Sequence, residues 1–570
     1  MEEIFRRREL ETKQEDVEGR IRIRNDALAS LRRSDRDPDN YIACAELLSR
    51  LGWLGEALDV IKRSLARCEP LPLLYELHIE LLSKCNRTRE AIAVARQATR
   101  LFPGDDLFFR LKGALLLPIL YDTQEEVNYY RKRFGNGLRL IGEELRLETA
   151  SSRQRALAAI QKHVNFYLGY QNRNDRELQQ AYGNLVHRIV SANFPMWSEQ
   201  PHMPAWPDDG RLRIGYISNF FHTHSVTRMF LGWLRGHDPG RFSVFNYHVG
   251  KGTDAVTEQV RRSSFVFRQL PKDFDVAATA IRNDDLHVLV FLDIGMSRFI
   301  SVLAALRLAP IQCMSWGHPI TSGLPTIRYF ISSDLMEPID AQEHYSERLV
   351  RLPGIGSCYS KPVIPEPLLN KTRRDFGLRE DSVVYLSCQS IFKYLPEQDR
   401  VFAKIASRVL NAQFVFLAMN DIVQNDFQKR LTRAFDAEGL RAADHCVVLL
   451  RVSHFDFWCL IRNADIVLDT IGWSGGISTF EVVACGLPLV TMPGKFMRGR
   501  QSSAILGQLG THLTIARDTT QYVEIAVRLS RDARLRQEVV DQTIKGHANL
   551  YSDTRCITAL EEFYQRAVLE

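Results

Sequence analysis

Residues 469–494, DTIGWSGGISTFEVVACGLPLVTMPG, combine the residue types that can grip an anion. VLDT at 467–470 reads as a strand, WSGG at 473–476 as a glycine loop and STFEVVACG at 478–486 as a short helix. A helix start offers unpaired N–H groups and the positive end of the helix dipole, and a phosphate suits both. The same residues also form a capping-box pattern, because Ser478 and Glu481 stand three apart ahead of an apolar run. Two other loops carry polar side chains. FFHTHSV (220–226) holds His222 and His224, an alternation that suits either a metal or a buried structural role, with no third ligand in view. SWGHPITSG (315–323) offers His318, Thr321 and Ser322 as donors within a turn rich in Pro and Gly.

These residues need a scaffold, and 570 residues are too many for one core. Hydrophobic residues make up 45% and charged residues 25%, a globular composition. The net charge of +6 arises from 74 Lys and Arg against 68 Asp and Glu, too slight an excess to indicate nucleic acid. The start, MEEIFRRRELETKQED, lacks the apolar segment of a secretory signal. The longest apolar run, ALLLPIL at 114–120, contains a proline and is far short of a membrane span, so no stable membrane insertion is expected. The 10 cysteines include no CxxC pair, which fits reduced thiols and a cytoplasmic location.

The first 130 residues repeat. Glu46-Leu47-Leu48-Ser49 recurs as Glu80-Leu81-Leu82-Ser83, and Glu56-Ala57 as Glu90-Ala91, both at an offset of 34. Leu115 and Leu116 continue that offset, which is the period of tetratricopeptide helix pairs. Residues 1–135 are therefore expected to form helical repeats that bind a protein. Apolar spacing through Leu157, Ile160, Val164 and Leu168 predicts further helix, and the proline-rich 194–210 a linker, giving a connector over 136–210. From Arg211, strands alternate with helices. RIGYIS (213–218), FSVFNYHV (242–249) and HVLVFLD (287–293) make one series, with helices over 255–263 and 276–282. VVYLSC (383–388), AQFVFLAM (412–419), CVVLL (446–450), ADIVLDT (464–470) and PLVTM (488–492) make a second. Two doubly wound parallel sheets follow, over 211–375 and 376–570, joined by a bridge at 358–378 that contains Pro362, Pro365 and Pro367.

A strand, glycine loop and acidic helix near the end of a second sheet domain resembles the nucleotide element of two-Rossmann, GT-B glycosyltransferases. The ordered motifs RIGYISNFFHTHSV (213–226), APIQCMSWGHPITSGLPTIRYFISSD (309–334), YSERLVRLP (345–353) and LDTIGWSGGISTFEVVACGLPLVTMPG (468–494) narrow this. Together they resemble the catalytic region of the O-GlcNAc transferase and SPINDLY family. The resemblance implies an inverting, metal-independent transferase that moves sugar from UDP-GlcNAc or another UDP- or GDP-sugar, a UDP-sugar first among them, to Ser or Thr of a protein. No further cofactor is implied, and no Asp-x-Asp motif stands where such an enzyme would use a metal. Two alternatives are an asparagine-directed hexosyltransferase and a tetratricopeptide scaffold with an inactive transferase domain.

The resemblance also assigns residues. Lys393, in SCQSIFKYLPE, matches the lysine on the diphosphate, and Gly475, Gly476, Ser478 and Thr479 the helix start beside it. Glu481 corresponds to the acid that takes the ribose hydroxyls, and Arg500 to an arginine that assists the phosphates or caps the next helix. His224 matches a histidine against the donor, which orients a substrate or acts as base. His318, Thr321 and Ser322 fall on the loop lining the sugar and acceptor side. Where animal members have a histidine and two threonines, this chain has Gly476, Ile477 and Ser478. Trp473 replaces a small residue near the acetamido pocket, and its indole is expected to fill the space of an N-acetyl group.

Overall fold

The computed structural model describes residues 18–31, 36–364, 370–450 and 452–570. The charged start of the chain, and Pro365 and Pro367 of the expected bridge, lie outside the described residues. Two compact units divide the chain, one ending at Ile119 and the other running from Leu120 to Glu570.

In the first unit, helices Pro38–Arg50 and Leu54–Arg67 recur as Pro72–Lys84 and Thr88–Leu101, each displaced by the offset read from the sequence. Ala57 and Ala91, equivalent in the two pairs, are fully buried, and so is Leu48, with Leu82 nearly so. A small side chain at that point lets the paired helices approach, while the leucines fill the seam. A third helix, Asp106–Leu115, begins at the same offset. The boundary expected at residue 135 falls inside helix Gln124–Glu144 of the second unit. That helix packs on Arg176–Asn193 and buries a stripe that includes Val127, Tyr130 and Phe134.

The second unit contains two parallel sheets. Strands β1 (Leu212–Ser218), β2 (Phe242–His248), β3 (Val266–Gln269), β4 (Val288–Phe291), β5 (Ile311–Ser315), β6 (Tyr329–Ser333) and β7 (Arg348–Leu352) form the first, in the order β3-β2-β1-β4-β5-β6-β7. The second is β8 (Val383–Ser390), β9 (Ala412–Ala418), β10 (Cys446–Leu450), β11 (Ile466–Leu468) and β12 (Leu489–Val490), ordered β10-β9-β8-β11-β12. Every residue of β2, β4, β5 and β6 is buried, as near-continuous apolar runs between helical layers require. Strand order reverses between β1 and β4 and between β8 and β11, and such reversals open crevices beyond the carboxyl ends of the strands. The architecture is α/β, of the two-Rossmann GT-B type.

The connector, expected to lie outside these lobes, is built into them, and the last helix, expected within the second lobe, packs on the first. The last helix, Arg555–Leu569, returns to the first sheet: the Tyr564 hydroxyl lies 3.0 Å from that of Tyr216, and Glu561 pairs with His237 at 3.2 Å. The connector is also docked. Its helix ends at Gln161, before Val164, and the chain then tightens into a 3-10 turn over Phe166–Gln171, so the apolar spacing outlives the helix. Helix Arg176–Asn193 then sits on the loop after β5, where Gln179 Nε2 donates to the Thr321 carbonyl at 3.1 Å.

Gly323 makes that contact possible. Its φ is +71°, and a Cβ there would fall 1.9 Å from the Gln179 carbonyl oxygen. Gly323→Ala is expected to add overpacking of about 1–3 kcal/mol to backbone strain of about 1–2 kcal/mol. Gly377→Ala, with φ +70° but open space around its Cβ, isolates the strain alone. Equal losses for the two variants in denaturant titrations would show that the connector does not press on Gly323.

Candidate active site

The second lobe supplies the polar side of the crevice. Beyond β8 the chain makes a short 3-10 turn, Ile391–Lys393, which turns Lys393 onto Gln389, with Nζ donating to Oε1 at 2.7 Å. Gln389 Nε2 in turn donates to Ser478 Oγ at 2.6 Å, so the lysine, the amide and the helix start form one chain. Beyond β11, Asp469 shapes the glycine loop. Its Oδ1 accepts the Gly475 N–H at 2.8 Å and its Oδ2 the Thr491 hydroxyl at 2.7 Å. A side chain at Gly475 would collide with Thr479 Oγ1, at 2.4 Å, and with Gln389 Nε2 and Ser478 Oγ, both at 2.9 Å. Thr479 itself bonds Ser502 at 2.8 Å and braces the loop from behind. Burial lowers the Lys393 ammonium to about 8, with the Asp469 carboxylate opposing that shift.

Helix Ile477–Ala484 decides between the two readings of Ser478 and Glu481. Its N-cap is Gly476, which puts Ser478 in the first turn and Glu481 beyond it, so the pair is no capping box. Glu481 is buried, and its Oε1 receives two partners: Arg228 Nη1 at 2.8 Å and His454 Nε2 at 2.7 Å. The N–H groups of Ile477 and Ser478, in the first turn, have no intrahelical acceptor and remain donors for an anion. Arg500 lies further along, half-buried, with Nη1 donating to the Gly494 carbonyl at 3.1 Å, and makes no side-chain cap for the following helix.

In the first lobe, His224 caps helix Ser225–Gly236, its Nδ1 accepting the Val226 N–H at 3.2 Å. Burial, helped by the neighbouring His222, lowers its pKa to about 4, so the ring is neutral near pH 7. With Nδ1 used as acceptor, the neutral ring carries its proton on Nε2. His224 thus presents a donor, which suits orienting an oxygen better than removing its proton. The Thr321 and Ser322 hydroxyls do not open onto the crevice chemistry: both donate to the buried Glu347 carboxylate, Thr321 at 2.5 Å, and so fix the shape of their loop. At the end of β4 lies the fully buried Asp293, which accepts the Asn219 N–H at 3.2 Å and so tethers the loop leading to His224. Burial raises its carboxyl to about 7.

The connector completes the site with aromatic rings. Tyr170 stacks on Trp473 at 3.9 Å, Phe166 stacks on His318 at 5.0 Å, and Phe392 stands edge-on to Tyr170 at 4.7 Å. Lys393 Nζ lies 5.9 Å from the Trp473 ring. The indole is 6% exposed, so the space beside the lysine is packed with aromatic surface. Burial lowers His318 to about 3, which keeps it neutral among these rings. A cavity of about 670 Å³ opens at the carboxyl end of the first sheet, its wall including Asn219, Phe220, Phe274 and Phe299. Phe220 joins it to His224 by stacking on that ring at 4.1 Å.

The profile of glycosyl transferase family 41 matches residues 157–356 and 357–555. The chain belongs to this family. The family 41 chain is 29% identical over 331 residues to an Arabidopsis thaliana protein named "Probable UDP-N-acetylglucosamine--peptide N-acetylglucosaminyltransferase SPINDLY", covering 56% of this chain and 35% of that one. The namesake from Oryza sativa subsp. japonica is 30% identical over 355 residues, 60% of this chain and 37% of its own. The chain thus spans little more than a third of the length of these relatives. A mutant O-GlcNAc transferase of Thermobaculum terrenum, solved as a structure, superposes with a TM-score of 0.63 at 21% identity, covering 93% of this chain and 97% of that one, a likeness of fold.

The sequence motifs of the family 41 chain led to Lys393, the glycine loop and Glu481, which the fold gathers at one crevice. They did not lead to Arg228, His454, Gln389, Asp469 or Tyr170. Asp469 and Gln389 stood within quoted motifs, Asp469 directly after a buried strand, where a carboxylate can hold a loop, and Gln389 four residues before Lys393; Arg228, His454 and Tyr170 carry no local signal.

Lys393 generates a pH test. Above pH 8 the free protein loses its proton, whereas a bound diphosphate favours the charged form and restores it. Affinity for a nucleoside diphosphate is therefore expected to fall as pH rises through about 8, with proton uptake on binding. Lys393→Arg, charged throughout, should flatten the profile. Calorimetric titration with UDP and with GDP in buffers of different ionisation enthalpy checks both, and a flat wild-type profile would remove Lys393 from the diphosphate.

Proposed function

We propose that this chain is an inverting glycosyltransferase that needs no metal and transfers sugar from a nucleotide diphosphate to a Ser or Thr hydroxyl of a protein. The observation that carries the reading is the convergence of Lys393, the first turn of helix Ile477–Ala484 and the Glu481 carboxylate at the β8/β11 crevice. Lys393 and the N–H groups of that turn take the charge that grows on the leaving diphosphate. The acceptor oxygen attacks the anomeric carbon from the opposite face, the leaving diphosphate carries away the electron pair of the broken bond, the hydroxyl proton passes to solvent water, and His224 donates from Nε2 to orient an oxygen. The acceptor approaches along the cavity beside Phe220. The helical repeats recruit the polypeptide, and the reaction takes place in the cytoplasm. The names of the SPINDLY relatives support a nucleotide sugar and a peptide as the two substrates.

Thermal-shift measurement against UDP, GDP and their sugars tests the donor. At 100 times its dissociation constant a true ligand stabilises by about 2.7 kcal/mol. Glu481→Ala is expected to weaken that ligand about ten-fold or more, the cost of losing hydrogen bonds to a charged group. Unchanged affinity in a folded Glu481→Ala variant would refute the ribose assignment.

The packed surface around Trp473 supports a donor without an N-acetyl group. Wild type is expected to use UDP-glucose or GDP-fucose in preference to UDP-GlcNAc, and Trp473→Ala to gain relative activity with UDP-GlcNAc. Because the indole also supports Tyr170, the ratio of kcat/KM values between donors is the measure. Highest wild-type kcat/KM with UDP-GlcNAc would refute the steric reading.

A further inference from the structure

We infer that Arg228 is the positioning residue that gives the donor site its preference for a ribose, by aiming Glu481 from the opposite lobe. The inference rests on the ribose assignment of Glu481 above. Glu481 comes from the second lobe, whereas Arg228 belongs to helix Ser225–Gly236 of the first. The guanidinium is clamped at both ends: Nη1 meets Glu481 Oε1 at 2.8 Å, and Nη2 donates to the Tyr359 hydroxyl at 2.7 Å. Tyr359, on the segment that crosses between lobes, lies flat on Phe480 at 4.2 Å, an interplanar angle of 19°. Phe480 immediately precedes Glu481, so the ring that holds the arginine also holds the backbone of the acid.

The helix bearing Arg228 has little freedom to drift. Trp233 Nε1 donates to the Gly356 carbonyl at 2.9 Å, and Ser357 Oγ to the Met229 carbonyl at 2.6 Å. A Cβ on Gly232 would fall 2.3 Å from the Cys358 carbonyl oxygen, so helix and crossover touch backbone to backbone. One turn before Arg228, the same helix is capped by His224, and the Arg228 N–H bonds the His224 carbonyl at 3.0 Å. A single rigid helix therefore sets His224 and the guanidinium on the ribose carboxylate together.

Both donors to Glu481, Arg228 and His454, converge on Oε1, so the carboxylate is rotated about that atom and Oε2 is the oxygen presented to a ligand. His454 is 59% exposed in its side chain, against 26% for Arg228, and contributes the weaker restraint. A carboxylate that is not held accepts hydrogen bonds from ribose at the expense of orienting itself first, and discriminates poorly between a nucleotide that has both hydroxyls and one that lacks either.

The test is calorimetric titration of the full chain with UDP and GDP and with the 2′-deoxy and 3′-deoxy forms of each. Wild type is expected to bind the better ribonucleotide about ten-fold or more tightly than its deoxy forms. Arg228→Met should narrow that ratio to within about three-fold, whereas Arg228→Lys, which keeps the charge and loses the bond to Tyr359, should fall between. A role confined to stability would weaken all forms by one common factor, and that result, like an unchanged ratio, overturns the inference. Should Arg228→Met fail to fold, Arg228→Lys together with Tyr359→Phe decides it by the same ratio. A wild type without any preference for ribose overturns the assignment of Glu481 itself, an outcome distinct from normal wild-type preference that survives in the Arg228 variants.

Discussion

A carboxylate buried between two lobes must be paired, and the pairing of Glu481 with Arg228 is the constraint on which the crevice depends. Glu481 has a side chain 4% exposed, so water cannot take over the role of the guanidinium. The pair therefore fixes how the carboxyl edge of the second sheet stands against the helix that follows β1. Two covalent crossings reinforce it: the segment that carries Tyr359, and the last helix, which returns to the first sheet through Tyr564 and Glu561. Buried ion pairs add little net stability but are costly to break, and that property suits a contact whose task is to hold geometry.

Around that pair, each charged group in the crevice has a different environment. Lys393 is lowered towards neutrality by burial, and Asp469 is raised to about 6 by the same cause while it holds the Gly475 N–H and the Thr491 hydroxyl. A site of this kind is not satisfied by its own partners. Among the described residues Lys393 donates to a neutral amide, and an incoming anion restores the charge that burial discourages. The first lobe is arranged otherwise. His224 and His318 are both held neutral, and Thr321 and Ser322 are turned onto Glu347.

The sequence made the repeat period and most of the second sheet legible, for physical reasons. A displacement of 34 residues appears in letters because each helix pair buries the same face, and Ala57 and Ala91 show it. Strands buried on both sides read as apolar runs. Four strands of the first sheet were not legible: β3 and β7 lie at the edges and are only partly buried, and β5 and β6 are buried but broken up by the polar Gln312, Ser315, Ser332 and Ser333. Ser478 and Glu481 kept two meanings until the helix start was located, since a cap depends on a single residue of register. Thr321 and Ser322 were found as loop residues, but nothing local to them names Glu347, which is distant in sequence and contributes its carboxylate from the start of the segment leading into β7. Arg228 was hidden for the same reason: its partner is 253 positions away.

The least legible contribution is also the one that most shapes the pocket. Phe166 and Tyr170 come from the connector, outside both Rossmann folds, yet they back His318 and Trp473 beside Lys393. Their presence there requires the helix to stop at Gln161, the 3-10 turn to follow, and the next helix to seat on Gly323. The second Rossmann lobe brings a lysine and a helix start together with parts of its own. The wall next to those parts is built from aromatic side chains of all three segments. A change in the connector reshapes the aromatic wall and leaves the lysine and the helix start in place, so the two sides of this crevice are set by separable pieces of the chain.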